Sequence, residues 1–185
     1  MPTVDDAFTA QPRERFLPAG QRSRANVDAP LLIGHGQTSS QPSTVATMLR
    51  LLEVPEGARV LDVGAGSGWT TALLAHLVGP TGTVLGVELE PDLARWGGAN
   101  VEASGQPWAR VELANPEVLG RPDAGPFQRI LVSAEADELP EALVDQLEVG
   151  GRMVIPVAGG LCVVDRTPTG RHVSRIDGYR FVPLR

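Results

Sequence analysis

Val60-Leu61-Asp62-Val63-Gly64-Ala65-Gly66-Ser67-Gly68-Trp69 is a short apolar run that passes into three alternate glycines and then into a helical stretch. Glycine lets the backbone turn sharply and lets a ligand approach the main chain at a helix N-terminus. A plain turn rarely needs three glycines in five residues, so the segment reads as a ligand-binding strand, loop and helix. A dinucleotide fingerprint would need Gly-x-Gly-x-x-Gly. Counted from Gly64 the sixth position is Trp69, and counted from Gly66 it is Thr71, so both registers fail.

Outward from this loop, short apolar runs alternate with helical stretches. Strands are expected at Arg59 to Val63, Thr83 to Glu88, Arg110 to Leu113, Arg129 to Ser133 and Arg152 to Val157. Helices are expected at about Trp69 to Val78, Pro91 to Ser104 and Pro140 to Leu147. Such alternation implies parallel strands with right-handed crossovers: an α/β fold with a Rossmann-like, mostly parallel sheet. Leu161 to Arg166, His172 to Ile176 and Tyr179 to Val182 read as a C-terminal antiparallel ribbon. Upstream, Val45, Met48, Leu49 and Leu52 make one apolar stripe of a helix from Pro42 to Glu53, stopped by Pro55 and Gly57. One domain is expected: an arm at 1–30, a ligand-facing loop and helix at 31–57, a doubly wound core at 58–158 and antiparallel strands at 159–185.

The 185 residues include no lysine, so all sixteen basic residues are arginines. Schiff-base chemistry and P-loop phosphate binding are thereby excluded. The single Cys162 and three scattered histidines have no metal-ligand spacing, so no metal is expected. A net charge of -6 with 4% aromatics argues against nonspecific nucleic-acid binding. No apolar run approaches the roughly 18 residues of a membrane span, and no targeting segment is legible. A cytoplasmic protein is the expectation, and a monomer, since no long heptad is visible.

The lysine-free composition also bears on the glycine loop. Asp62 disfavours a diphosphate there and can attract an ammonium or a sulfonium. S-adenosyl-L-methionine carries both and has no phosphate. Glu88, twenty residues beyond Gly68 at a strand end, can accept hydrogen bonds from ribose hydroxyls. Asn115 falls where the next ligand-facing loop is expected, and its amide oxygen suits an adenine amino group or an Asn-Pro turn equally well. Glu90 is read as complementing the dipole of the Pro91 helix, and His35 as loop surface or packing. Gly97 and Gly98, inside that helix, should each cost about 1 kcal/mol relative to alanine. Ser and Thr at 38 to 40 are by themselves explained better by helix capping than by catalysis.

Ile33-Gly34-His35-Gly36-Gln37-Thr38-Ser39-Ser40-Gln41-Pro42 resembles the upstream motif of the protein-L-isoaspartate O-methyltransferase family, Ile-Gly-x-Gly-Gln-Thr-Ile-Ser-x-Pro, with Ser39 in place of isoleucine. The likeness extends through the Asp62 to Gly68 loop, Glu88, Pro126 to Ser133, Leu139 to Leu143 and Leu147 to Val157 to the closing Arg180-Phe181-Val182-Pro183-Leu184. It begins as early as Arg13-Glu14-x-Phe16-x-Pro18. The resemblance implies a class I methyltransferase fold and a carboxyl O-methyltransferase that acts on L-isoaspartyl residues of damaged proteins or peptides. The methyl donor it implies is S-adenosyl-L-methionine.

Position by position, the resemblance implies Ser40 at the reacting carboxylate, with Gln37, Thr38, Asp62, Gly64, Gly66, Gly68, Glu88 and Asn115 on the cofactor. It places Ser39, Ser40, Val182 and Pro183 in the substrate groove. Asn115-Pro116 stands where the family typically has Asp-Gly, and Asp137 replaces a usual proline. These departures leave two alternatives open: a related methyltransferase with a dedicated peptide or small-molecule acceptor, or a cofactor-binding homologue without turnover.

Overall fold

The computed structural model describes residues 2–185. The arm opens with α1 (Val4–Ala10), capped by Thr3, whose hydroxyl takes the Asp6 amide while the Asp6 carboxylate takes the Thr3 amide. Two 3-10 turns follow, Arg13–Phe16 and Ala19–Arg24. Next comes a hairpin of β1 (Leu31–Gly34) and β2 (Gln37–Ser39), turned by His35 and Gly36 at positive φ, then α2 (Pro42–Leu52). The expected stripe of α2, Val45, Met48, Leu49 and Leu52, is no more than 2% exposed. At roughly 2 kcal/mol per buried side chain, that stripe rather than any cap holds the helix.

The core alternates as expected through β3 (Arg59–Val63), α3 (Trp69–Val78), β4 (Thr83–Glu88), α4 (Pro91–Ala103), β5 (Ala109–Leu113), β6 (Phe127–Val132), α5 (Glu141–Val144) and β7 (Leu147–Val157). β8 (Gly160–Thr167) and β9 (Gly170–Asp177) complete one seven-stranded sheet of order β5-β4-β3-β6-β7-β8-β9. The first five positions in that order pair in parallel, and β8 and β9 are antiparallel. Neighbouring residues of a central strand go to opposite faces, and both faces are buried. Val60 and Val84 meet α1, α2 and α3, whereas Leu61 and Leu85 meet α5 and the loops on the far side. The chain reverses direction across the sheet between β3, whose crossover leads to β4, and its other neighbour β6. Loops leaving the carboxyl ends of these two strands diverge, which opens a crevice at the switch point.

Two expectations fail. The helix drawn from Pro140 to Leu147 is only one turn, because Gln146 turns its side chain inward and Leu147 pairs with Phe127 as a strand. The Gln146 amide is 5% exposed, donates to Leu119 and Ala142 carbonyls and accepts from the Arg121 amide. Tyr179 to Val182 form no third ribbon strand. Beyond Gly178 the chain turns back across the sheet, where the Glu135 amide donates to the Val182 carbonyl and the Leu184 amide to the Glu135 carbonyl. The Glu135 carboxylate secures this return, accepting from the Gly159 amide at 2.9 Å and the Phe181 amide at 3.0 Å.

Candidate functional site

The crevice at the switch point is a cleft of about 400 Å³. Of the residues singled out in the sequence, Gln37, Thr38, Ser39, Ser40, Gly64, Gly66, Glu88, Asn115, Val182 and Pro183 border it; Asp62 and Gly68 do not. They arrive from four places: β2 and its exit, the β3–α3 loop, the ends of β4 and β5, and the returning C-terminal segment.

The glycine loop is shaped by what lies behind it. Gly68 has φ +84°, and a Cβ there would meet the Gly97 carbonyl oxygen at 2.6 Å and Val101 at 2.8 Å. A Cβ on Gly97 would stand 2.5 Å from the Gly66 carbonyl oxygen. The glycine that weakens α4 as a helix is therefore what lets α4 lie directly against the loop, and Asn100 adds a 2.9 Å bond from its amide to the Ser67 carbonyl. On the cleft side, Ile33 of β1 reaches within 3.1 Å of where a Gly66 Cβ would be. The N-terminus of α3 has no side-chain cap, so its first-turn amides remain available to an anion.

Glu88 is 8% exposed and braces the site, accepting from the Gly66 amide at 2.8 Å and the Glu90 amide at 2.9 Å. Each carboxylate oxygen thus has one partner and keeps a further lone pair toward the cleft. Asp62 is fully buried beneath the loop. One of its oxygens accepts from Thr70 at 2.7 Å and Thr71 at 2.6 Å, and the other has no partner among the described residues. Burial pushes its carboxyl up to about 6, partly opposed by the Thr71 and Thr70 hydroxyls and reinforced by Glu88. Asp62 acts on the cleft through its field and through the helix it holds, since it does not reach the surface. The Asn115 amide oxygen accepts from the Glu117 amide at 3.0 Å, which makes Asn115-Pro116 the start of an Asx turn.

Ser39 and Ser40 separate in role. Ser39 is 6% exposed, and its hydroxyl accepts from Arg13 Nε at 3.1 Å. Arg13, itself 5% exposed, also donates to the carbonyls of Val27, Ala29, Ser39 and Ser40 at 2.9 to 3.1 Å, and its guanidinium lies 5.5 Å from the Trp69 ring centroid. Desolvation lowers its pKa to about 10. Ser40, one residue on, is half-buried, and its hydroxyl has no hydrogen-bond partner among the described residues. Arg13 was legible only as part of a motif; nothing in its local sequence indicated that it would bind β2 to the start of α3.

His35 lies exposed in the turn between β1 and β2, as expected for loop surface. It faces Glu90 at 3.7 Å and Asp92 at 3.6 Å, acids remote in sequence, and Arg185 also approaches Glu90 at 3.5 Å. Glu90 stands at the N-cap position of α4 without a side-chain cap bond. Among the described residues no cluster of His, Cys, Asp and Glu could hold a metal ion, and no helix is long and apolar enough to cross a membrane.

The family model for protein-L-isoaspartate(D-aspartate) O-methyltransferase matches residues 1–185. A protein-L-isoaspartate O-methyltransferase of Aeropyrum pernix is 44% identical over 186 residues, covering 98% of this chain and 72% of its own. That of Methanopyrus kandleri is 43% identical, covering 98% and 82%. A crystal structure from Plasmodium falciparum assigned to the same enzyme, in complex with S-adenosyl-L-homocysteine, superposes with a TM-score of 0.87 at 28% identity, covering 98% of this chain and 89% of that one.

Proposed function

The chain belongs to the protein-L-isoaspartate O-methyltransferase family, and on that premise we propose that it methylates the free α-carboxylate of L-isoaspartyl residues in proteins or peptides, with S-adenosyl-L-methionine as donor. The observation that carries the reading is Ser40, whose unengaged hydroxyl borders the same cleft as the glycine loop and Glu88.

The cleft suits this cofactor. In the loop the amides of Gly64, Ala65, Gly66 and Gly68 already donate to Val87, Glu88 and Ala65, so the Ser67 amide and the uncapped N-terminus of α3 are what face the amino-acid carboxylate, and Glu88 offers its remaining lone pairs to the ribose hydroxyls. Val63, Val87, Leu89, Val118 and Leu119 give apolar walls for a purine, and the negative field of Glu88 and buried Asp62 favours a cation. Asn115 borders the adenine end, with its amide oxygen already bonded to Glu117. When bound, S-adenosyl-L-methionine supplies a methyl group on a sulfonium and departs as the neutral thioether S-adenosyl-L-homocysteine.

The acceptor carboxylate is ionised at neutral pH, so the chain needs no general base. Its work is alignment and exclusion of water. Ser40 donates its hydroxyl to one carboxylate oxygen and leaves the other to attack. Arg13 fixes the Ser40 carbonyl and hence where that hydroxyl points. Val182 and Pro183, held against Glu135, close the peptide side of the groove. The ester then leaves the enzyme, and the neighbouring backbone amide nitrogen attacks its carbonyl, expelling methanol to form a succinimide whose hydrolysis returns part of the chain to normal aspartate.

Transfer of labelled methyl to an isoaspartyl peptide and not to its aspartyl twin is the expected result, with kcat reduced at least about tenfold in Ser40→Ala while cofactor affinity measured by calorimetry is kept. Equal labelling of the two peptides would reject the specificity, and full turnover in Ser40→Ala would reject the role of the hydroxyl.

A further inference from the structure

Beside the cleft lies a smaller cavity of about 70 Å³ that shares Thr38, Ser40, Ser133 and Val182 with it. These residues form a partition, with the glycine loop and Glu88 on one side. On the other side the cavity is bounded by Arg180 and Phe181 of the returning segment and by Gln41 and Thr44 at the start of α2. Tyr179 and Phe181 pack on the core to either side, so the backbone of Arg180 is held while its side chain stays exposed.

The charges around this cavity are unequal in commitment. Asp28 is taken by the Ser43 amide and the Gln41 side chain, Glu135 by the amides of Gly159 and Phe181, and Arg13 by carbonyl oxygens. Of the sixteen basic residues, Arg15, Arg24 and Arg180 make neither an ion pair nor a side-chain hydrogen bond among the described residues. Of those three, Arg180 is the one that borders this cavity. A carboxylate moving toward Ser40 meets the negative field of Glu88 and Asp62, and Arg180 is the uncommitted cation placed to offset it.

We propose that Arg180 is a specificity-determining residue that draws the anionic acceptor peptide to the Ser40 side of the partition, acting on binding and not on the methyl-transfer step. The proposal rests on the carboxylate-methylation reading and names how that site selects an anionic acceptor. A guanidinium gripping the attacking oxygen tightly would lower its nucleophilicity, whereas an exposed one at the rim raises local acceptor concentration without that penalty.

The test is steady-state kinetics of the full chain and its Arg180→Gln, Arg180→Glu and Arg180→Lys variants on an isoaspartyl peptide across ionic strength, with cofactor calorimetry as a check on folding. Arg180→Gln should raise KM roughly fivefold at constant kcat. Arg180→Glu should raise it further, and Arg180→Lys should restore it. The differences should shrink toward 0.5 M salt, where screening falls to a few ångströms. Wild-type turnover with unchanged KM in Arg180→Gln and Arg180→Glu overturns the role of Arg180 alone, as does a loss confined to kcat. A wild-type chain that binds cofactor but leaves the isoaspartyl peptide unmethylated overturns the carboxylate reading and this inference with it.

Discussion

Replacing Gly97 and Gly98 separately by alanine sets helix propensity against packing within one turn of α4. By propensity each change should stabilise by up to about 1 kcal/mol. At Gly98 nothing opposes it, because a new Cβ would meet only the Val111 carbonyl oxygen at 3.6 Å, an ordinary contact. At Gly97 the Cβ would stand 2.5 Å from the Gly66 oxygen and 3.2 Å from the Gly68 nitrogen, backbone that cannot swing aside as a side chain can. Such overpacking typically costs about 1–3 kcal/mol, which outweighs the propensity gain. Gly98→Ala should therefore melt above the wild type and Gly97→Ala below it, with a separation of roughly 5 °C for a chain of this size. Because Glu88 is bonded to the Gly66 amide, displacing the loop should also weaken S-adenosyl-L-homocysteine binding in Gly97→Ala but not in Gly98→Ala. Scanning calorimetry and isothermal titration read both effects. If Gly97→Ala melts at or above Gly98→Ala and binds the ligand as the wild type does, the close approach of α4 is not what the glycine serves.

Asp62 makes a pH prediction. Its folded pKa of about 6 lies above the ordinary 3.8, so the folded state holds the proton more tightly, and the resulting stabilisation is full below pH 3.8 and lost as pH rises through 6. Between pH 5 and 7.5 the wild type should lose about 1.4 kcal/mol more than Asp62→Asn, which keeps an oxygen for Thr70 and Thr71; parallel urea curves for the two proteins would refute this. Arg13→Met should cost about 3 kcal/mol by denaturant midpoint, since it strips donors from the Ser39 and Ser40 carbonyls and from the Ser39 hydroxyl. A loss below about 1 kcal/mol would mean that those carbonyls find water instead.

The alternation of β3 through β7 with their helices could be read along the chain because each element is written in local pattern: short apolar runs for strands buried on both faces, an i, i+3, i+4, i+7 stripe in α2, and Pro42 and Pro91 at helix starts. The helix mistaken around Gln146 shows where local pattern stops. A polar side chain that looks fit for a helix surface was instead required inside, to satisfy backbone groups of a loop about 25 residues away in sequence. The returning tail shows the same limit, since what turned it from a ribbon strand into a wall of the cleft was the remote Glu135.

By itself, the sequence determined a phosphate-free cofactor loop, its strand and helix, and the acid at the end of β4, because these depend on residue type and short spacing. Tertiary structure alone decided that Asp62 lies under the loop, that Ser39 answers Arg13 while Ser40 stays free, and that Gly97 is a contact surface and not a defect. These outcomes join residues 26 to 31 positions apart, such as Arg13 with Ser39 and Gly66 with Gly97. Asp62 and Thr71, only nine apart, still needed the loop to fold back before they could meet. Burial and closure of that kind are properties of the packed core, where a side chain's partners are set by which elements lie side by side, and no local run of residues encodes that.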